Sequence, residues 1–296
     1  MSQPELNVNV FTFEELAKET IQQSTRLMEY FKLNIIYYQL VSGKGLEFDR
    51  IKEYSYGDDA KRIDWKALAR TGELHTRSFK EERHFDIVIV IDVSDSMLLG
   101  TSKMVKNEFA ALIAGVLAYA AIDAGDEVAI VMSSSKVSLV TEPEGDFYHM
   151  LRHLTMKENY GGEKNWQKLV GELITNYDEQ AIIFLISDFI DTQPEEFLAP
   201  LSSSFTKTYG IMVRDKVDDT LPEGTGAMYL ADPTGKKSYL TDFKKLKEEY
   251  EQLNKRQLEH IRHTFLSEGQ LFFKVRTDED FASEFIRALG HEKVIE

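Results

Sequence analysis

The sequence predicts an α/β protein: a doubly wound, mostly parallel sheet with helices on both faces and a helical N-terminal arm. Three observations predict it. Residues 86–92 and 181–187 are near-continuous runs of Ile, Val, Leu and Phe, the pattern of parallel strands buried on both faces. From residue 86 onward, strand-like runs alternate with stretches of helical period. Both buried runs give way to aspartate, Asp92 and Asp188, so two carboxylates emerge at the edge where open α/β sheets bind ligands.

Taken in order, Thr12-Phe13-Glu14-Glu15 fits a capping box and opens a helix with Phe13, Leu16, Leu27, Met28 and Phe31 on its apolar side. Residues 33–41 are helix or strand by periodicity, ended by Gly43 and Gly45. Residues 1–42 form the arm. Residues 43–84 interleave both signs of charge with aromatics, which suits ion pairs pinning an irregular segment to the main domain. A docking or anion-binding surface around Arg62, Asp64, Trp65 and Arg70 is the alternative. Within this segment Gly57-Asp58-Asp59 reads as a turn and 74–79 as a short strand.

The main domain spans 85–296. After its opening strand, Ser102 is placed to cap a helix over 103–123, whose small and apolar residues are too many for a surface helix. Gly125 is the left-handed stop. Residues 127–132 form a strand and 136–141 an edge strand. Residues 147–156 and 166–176 are amphipathic helices separated by Gly161-Gly162. A strand is predicted over 205–213, and a hairpin with arms 227–231 and 237–241 around Asp232-Pro233-Thr234-Gly235. A charged helix over 242–265, a strand over 271–276 and a helix over 280–289 complete the chain. No element is assigned between 189 and 204.

Composition excludes several classes of function. The 296-residue chain has no cysteine, so disulfides, iron–sulfur clusters, zinc-thiolate sites and cysteine nucleophiles are out, and a reducing, cytoplasmic setting is expected. A net charge of −15 opposes duplex nucleic-acid binding, which rests on neutralising phosphates. Met1-Ser2-Gln3-Pro4-Glu5 has neither the basic nor the apolar part of a signal peptide, and no apolar run is long enough to span a bilayer. His149 and His153, four apart on a helix, have no third zinc ligand in view. Gly224-Thr225-Gly226 and Gly235-Lys236-Lys237-Ser238 lack the context of a dinucleotide or phosphate loop.

The chemistry concentrates after the first buried strand, in Asp92-Val93-Ser94-Asp95-Ser96. One carboxylate and two hydroxyls in a tight loop are hard oxygen donors suited to Mg²⁺ or Mn²⁺. Asp188 converges from the second strand and would reach the ion through water. The alternative is a metal-free helix N-terminus capped by Asp95 or Ser96. The pattern Asp-x-Ser-x-Ser resembles the metal-ion-dependent adhesion site of von Willebrand factor A domains.

A wider resemblance covers residues 43–132. Gly45-Leu46-Glu47-Phe48, Glu53-Tyr54, Gly57-Asp58-Asp59, Arg62-Ile63-Asp64-Trp65, Ala69-Arg70-Thr71-Gly72-Glu73-Leu74 and Phe79-Lys80-Glu81-Glu82 lead into the Asp92–Met97 loop. Together with Ile186-Ser187-Asp188, they resemble the prokaryotic family known as domain of unknown function 58. The resemblance implies a von Willebrand factor A-like fold and partnership with a MoxR-type AAA+ ATPase in assembly or chaperone-like processes. Longer members often carry N-terminal membrane helices.

One departure stands out. Metal-binding A domains supply a Thr from a second loop, often as Gly-Gly-Thr, where this chain has Gly161-Gly162-Glu163-Lys164-Asn165. Glu163 would replace the hydroxyl with a carboxylate, Asn165 aligns equally well, or Lys164 folds in and displaces the metal. The expectation is a non-enzymatic interaction module holding Mg²⁺ or Mn²⁺ through Asp92, Ser94, Ser96, Asp188 and Glu163. A partner's Asp or Glu would complete the coordination. The alternatives are a metal-free scaffold with a degenerate site, and a phosphatase with Asp92 as nucleophile. The latter lacks the second Asp two positions on, where Ser94 stands.

Overall fold

The structure, a computed structural model, describes residues 8–29, 48–53, 75–79, 85–136, 138–141, 147–205, 207–221, 227–231, 238–281, 283–284 and 287. The expectations for 33–41, for Gly57-Asp58-Asp59 and for the 232–235 turn fall outside these residues, as does most of the 43–84 segment.

Helix α1 (Phe13–Glu29) opens with the predicted capping box. The Thr12 N–H donates to Glu15 Oε2 at 3.0 Å, and the Glu15 N–H donates back to Thr12 Oγ1 at 3.3 Å. Strands β1 (Phe48–Glu53) and β2 (His75–Phe79) pair antiparallel. The second is the strand expected near 74–79; the first is not read from sequence.

The main domain runs β3 (Asp86–Asp92), α2 (Lys106–Asp123), β4 (Glu127–Ser133), β5 (Ser138–Thr141), α3 (Phe147–His153), α4 (Trp166–Asn176) and β6 (Ile182–Ser187). It continues with α5 (Glu195–Ser204), β7 (Lys207–Arg214), the hairpin β8 (Ala227–Ala231) and β9 (Ser238–Asp242), α6 (Phe243–Ser267) and β10 (Leu271–Arg276). Among the described residues six strands form the main sheet in the order β10-β7-β6-β3-β4-β5. Five are parallel, and β5 lies antiparallel on the edge. Residues 281, 283, 284 and 287 of the predicted last helix are helical.

Alternation along the strands divides the core in two. Ile87, Ile89 and Ile91 face α1, α2 and α3, while Val88 and Val90 face α4, α5 and α6 with Leu169, Phe197, Leu201 and Phe265. This is the doubly wound arrangement. Because β4 lies on one side of β3 and β6 on the other, the winding reverses between β3 and β6, and a crevice opens there at the carboxyl edge.

Three expectations are corrected. The long helix begins at Lys106 and not at 103, because Ser102 is diverted: its hydroxyl donates to Asp215 Oδ2 at 2.8 Å, and Glu108 instead accepts the Val105 N–H at 3.1 Å. Helix α3 stops at His153, three residues early, and turns through Leu154. Helix α5 fills the stretch left without an element. Pro194 and Pro200 disguise its period, but Phe197, Leu198 and Leu201 are buried on one side. Gly125 does end α2 at φ +85°, with Asp126 N–H reaching Ala121 O at 2.9 Å in a Schellman turn.

Candidate functional site

The crevice between β3 and β6 gathers four of the five residues expected there. Register sets Ile91 beside Ile186, so the strands release Asp92 and Asp188 at neighbouring points on the edge. Asp92 is clamped: Oδ1 accepts the Ser94 N–H at 2.9 Å and Oδ2 accepts the Ser187 hydroxyl at 2.6 Å. This turn folds the loop back so that Ser94 Oγ and Ser96 Oγ lie 3.3 Å apart. Residues Asp95–Leu98 continue as one 3₁₀ turn.

The third side is the Gly161–Asn165 loop. Gly161 and Gly162 adopt φ +111° and +96°, which lets the backbone run against its neighbours. Asp95 N–H donates to Gly162 O at 2.7 Å, and Gly162 N–H donates to Asp95 Oδ1 at 2.8 Å. On the other flank Ser135 N–H donates to Glu163 O and Glu163 N–H to Ser135 Oγ, at 2.6 and 2.8 Å. Two reciprocal pairs thus hold the loop. Trp166 anchors the start of α4 by stacking on Phe197 at 4.4 Å between ring centroids.

This framework sends the side chains of 163–165 in different directions. Glu163 is exposed and engages Ser135 only through its backbone. Asn165 Oδ1 accepts the Lys168 N–H at 3.0 Å and caps α4. Lys164 folds in. Its ammonium lies 2.5 Å from Ser96 Oγ, 3.0 Å from Asp188 Oδ1 and 3.6 Å from Asp92 Oδ2, and its side chain is 13% exposed.

Behind it stands a second cation. Lys106, in the first turn of α2, reaches Asp188 Oδ2 at 2.8 Å and Asp218 Oδ2 at 3.1 Å. Burial by itself would raise the pKa of Asp188. The Lys106 and Lys164 ammoniums and the Ile190 N–H outweigh it and hold the carboxyl well below the usual range. Burial opposes charge on Lys164 as well, but Asp92 and Asp188 overcome it and raise its pKa. Lys164 is therefore an ammonium at neutral pH and not a base.

A neighbouring knot lies at the end of β7. Asp215, closed to solvent, accepts the N–H and hydroxyl of both Thr101 and Ser102, the Thr277 hydroxyl at 3.0 Å and the Val217 N–H at 3.1 Å. Burial works against its charge, but these donors win and its pKa falls well below the carboxylate norm. The loop after β3 is thereby tied at both ends.

Sequence reasoning missed Lys106, Ser187, Asp215 and Asp218. Two signals were present. Lys106 is the lone basic residue of a mostly apolar helix, and Asp215 ends its strand as Asp92 and Asp188 end theirs.

The donors suit a divalent cation in kind, being carboxylates and hydroxyls. In this structure the Lys164 ammonium stands among them. Elsewhere His149 and His153 face each other with Nε2 atoms 3.2 Å apart, and no group of three or more His, Asp or Glu side chains able to hold a metal occurs among the described residues. No described helix is long and apolar enough to cross a membrane.

The sequence is 24% identical over 264 residues to uncharacterized proteins of Mycobacterium tuberculosis and Mycobacterium bovis, covering 86% of this chain and 82% of theirs. Among solved structures, an aerotolerance-related membrane protein of Bacteroides fragilis aligns at a TM-score of 0.44 and 11% identity, over 70% of this chain and 99% of that one. The conserved hypothetical protein BatB of Bacteroides thetaiotaomicron aligns at 0.45 and 14%, over 71% and 98%. Residues 50–260 match the family described as protein of unknown function DUF58, and the chain belongs to that family.

Proposed function

We propose that the chain is a non-enzymatic protein-interaction module with a von Willebrand factor A-like main domain, docking a MoxR-type AAA+ ATPase through the rim of the β3–β6 crevice. The observation that carries this reading is the convergence of Asp92, Ser96 and Asp188 on one cation position at the switch point of the sheet, with Ser94 beside Ser96. The partner class comes from the family resemblance, and a partner's Asp or Glu is the group that a cation there would attract.

Catalysis has less support. Both Asp92 oxygens accept hydrogen bonds from their own loop and from Ser187, Asp188 is ion-paired on both sides, and Ser94 stands where a phosphatase of this type needs its acid. In the metal-dependent form of the reading, Mg²⁺ or Mn²⁺ held by Asp92, Ser94, Ser96 and Asp188 would supply a Lewis-acidic position for the partner's carboxylate. The exposed Glu163 would join only if its loop rearranged. In the metal-free form the protein's own ammonium takes that place, and the position of Lys164 favours it.

The test is capture of a purified MoxR-type ATPase by the wild-type protein and by Asp92→Ala, each with and without chelator. Loss of capture with Asp92→Ala supports the module, and full capture by a folded Asp92→Ala protein overturns it. Sensitivity to chelator separates the two forms. No turnover of an aryl phosphate in Mg²⁺ is expected.

A further inference from the structure

Three carboxylates, Asp92, Asp188 and Asp218, face two ammoniums, Lys106 and Lys164, at the bottom of the crevice. The two cations are not equivalent. Lys106 is 1% exposed and rises from the first turn of a helix buried nearly all round. Lys164 extends from a loop, is 13% exposed, and lines a cleft with Asp92, Ser133, Asn165, Trp166 and Leu169. One cation is built into the core, while the other stands at the door.

We propose that Lys164 is the resident cation of this site, a tethered ammonium that competes with divalent metal, so that a metal ion enters only when Lys164 leaves. The inference rests on reading the cluster as a cation site, and it deepens that reading by naming how occupancy is regulated.

The contacts support it directly. The ammonium touches one hydroxyl and two carboxylates expected to serve a metal, within 2.5–3.6 Å. An octahedral Mg²⁺ needs oxygens at about 2.0–2.1 Å and cannot share that volume with an ammonium. Charge agrees. Replacing Lys164 with a neutral side chain removes the ammonium beside Asp92 and Asp188 and leaves one more negative charge for a divalent ion to meet. A tethered group also needs no free ligand to hold its place, so it competes at high effective concentration.

A partner carboxylate entering the cleft would find Lys164 as the cation in its lining. Drawing the ammonium out toward that carboxylate would uncover the oxygens beneath, so partner binding and metal entry are coupled in this scheme. In the free protein the site stays closed to Mg²⁺.

The experiment titrates Mn²⁺, followed by electron paramagnetic resonance, and Mg²⁺, followed by calorimetry. The proteins are wild type, Lys164→Met, Lys164→Ala and Lys164→Met/Asp92→Ala. Methionine keeps most of the length of the side chain without its charge, which guards against a packing defect in the alanine variant. Lys164→Met is expected to bind Mn²⁺ at least tenfold more tightly than wild type, and Asp92→Ala in that background to abolish the gain.

Equal affinity in wild type and Lys164→Met would overturn the proposal, and so would no binding in either. The docking role would survive both results, since it is read separately by capture of the ATPase. A second measurement uses the wild type alone. Acylation of lysines, followed by mass spectrometry, is expected to modify Lys245, 77% exposed, at least tenfold faster than Lys164. Comparable rates would mean that Lys164 does not reside in the site.

Discussion

Lys106 Nζ lies 2.8 Å from Asp188 Oδ2, and neither side chain is more than 1% exposed. The pair joins the first turn of α2 to the end of β6 across 82 positions of sequence. Such a pair adds little over an apolar replacement of both partners, yet losing one partner leaves a buried charge without compensation. Asp188→Ala removes the carboxylate shared by two ammoniums, leaving Lys106 with Asp218 and Lys164 with Asp92. It is expected to destabilise the protein by about 3–5 kcal/mol, read as a fall in the urea midpoint. Lys106→Met combined with Asp188→Ala should cost clearly less than the two single effects added together.

Asp215 makes stability depend on acid. Its folded pKa is depressed, so the unfolded chain, with an ordinary carboxylate near 3.9, takes up the proton first as the pH falls. Its contribution is complete above that value and drains away below it. Wild type should exceed Asp215→Asn in stability by a constant margin at pH 6–8. The margin should shrink as the pH drops through about 4. A margin unchanged down to pH 3 in urea titrations would contradict the depressed pKa.

Gly162 is needed for two reasons, its φ of +96° and its lack of a side chain. A Cβ there would come within 2.8 Å of Ser135 Oγ and 2.9 Å of Lys136 Cγ. Gly162→Ala is expected to cost about 1–3 kcal/mol. It should also loosen the loop that delivers Lys164, so that Lys164 acylates faster than in wild type while Lys245 does not change.

The arm is locked by a missing methyl group. A Cβ on Gly115 would stand 2.6 Å from Thr20 Oγ1, so α1 and α2 approach closely only because residue 115 is glycine. Gly115→Val should destabilise by about 1–3 kcal/mol. Limited proteolysis should then cut within 13–29 faster than in wild type, and an unchanged digestion pattern would count against this packing.

How much could be read in advance depends on the range of each interaction. The strands β6 and β10 and the helix α4 come out within a residue of their predicted bounds because each has a strong period of its own. Asp92, Ser94 and Ser96 were visible as a local pattern, and Asp188 by its place after a second buried strand. Lys164 could be named as a candidate to fill the site, but choosing it over Glu163 needed the hydrogen bonds to Asp95 and Ser135 that set the orientation of the loop. Lys106 with Asp188, and Ser102 with Asp215, join residues 82 and 113 apart, and such pairings leave no local trace. Ser102 shows the conflict plainly, because it has the chemistry of a cap and spends it on a distant carboxylate.

Helix α2 is buried nearly all round from Lys106 to Ala121, with the sheet on one side and α1 and α3 on others. A helix of that composition needs cover on most of its flanks. Helix α1 is therefore a structural wall, however peripheral it looks in the sequence. A version beginning after residue 29 would bare a greasy stripe along Ala111, Gly115 and Ala118, and such surfaces find each other. Boundaries for expression should fall before Val8, because Val8, Val10 and Phe11 pack on the same core and Thr12 caps α1.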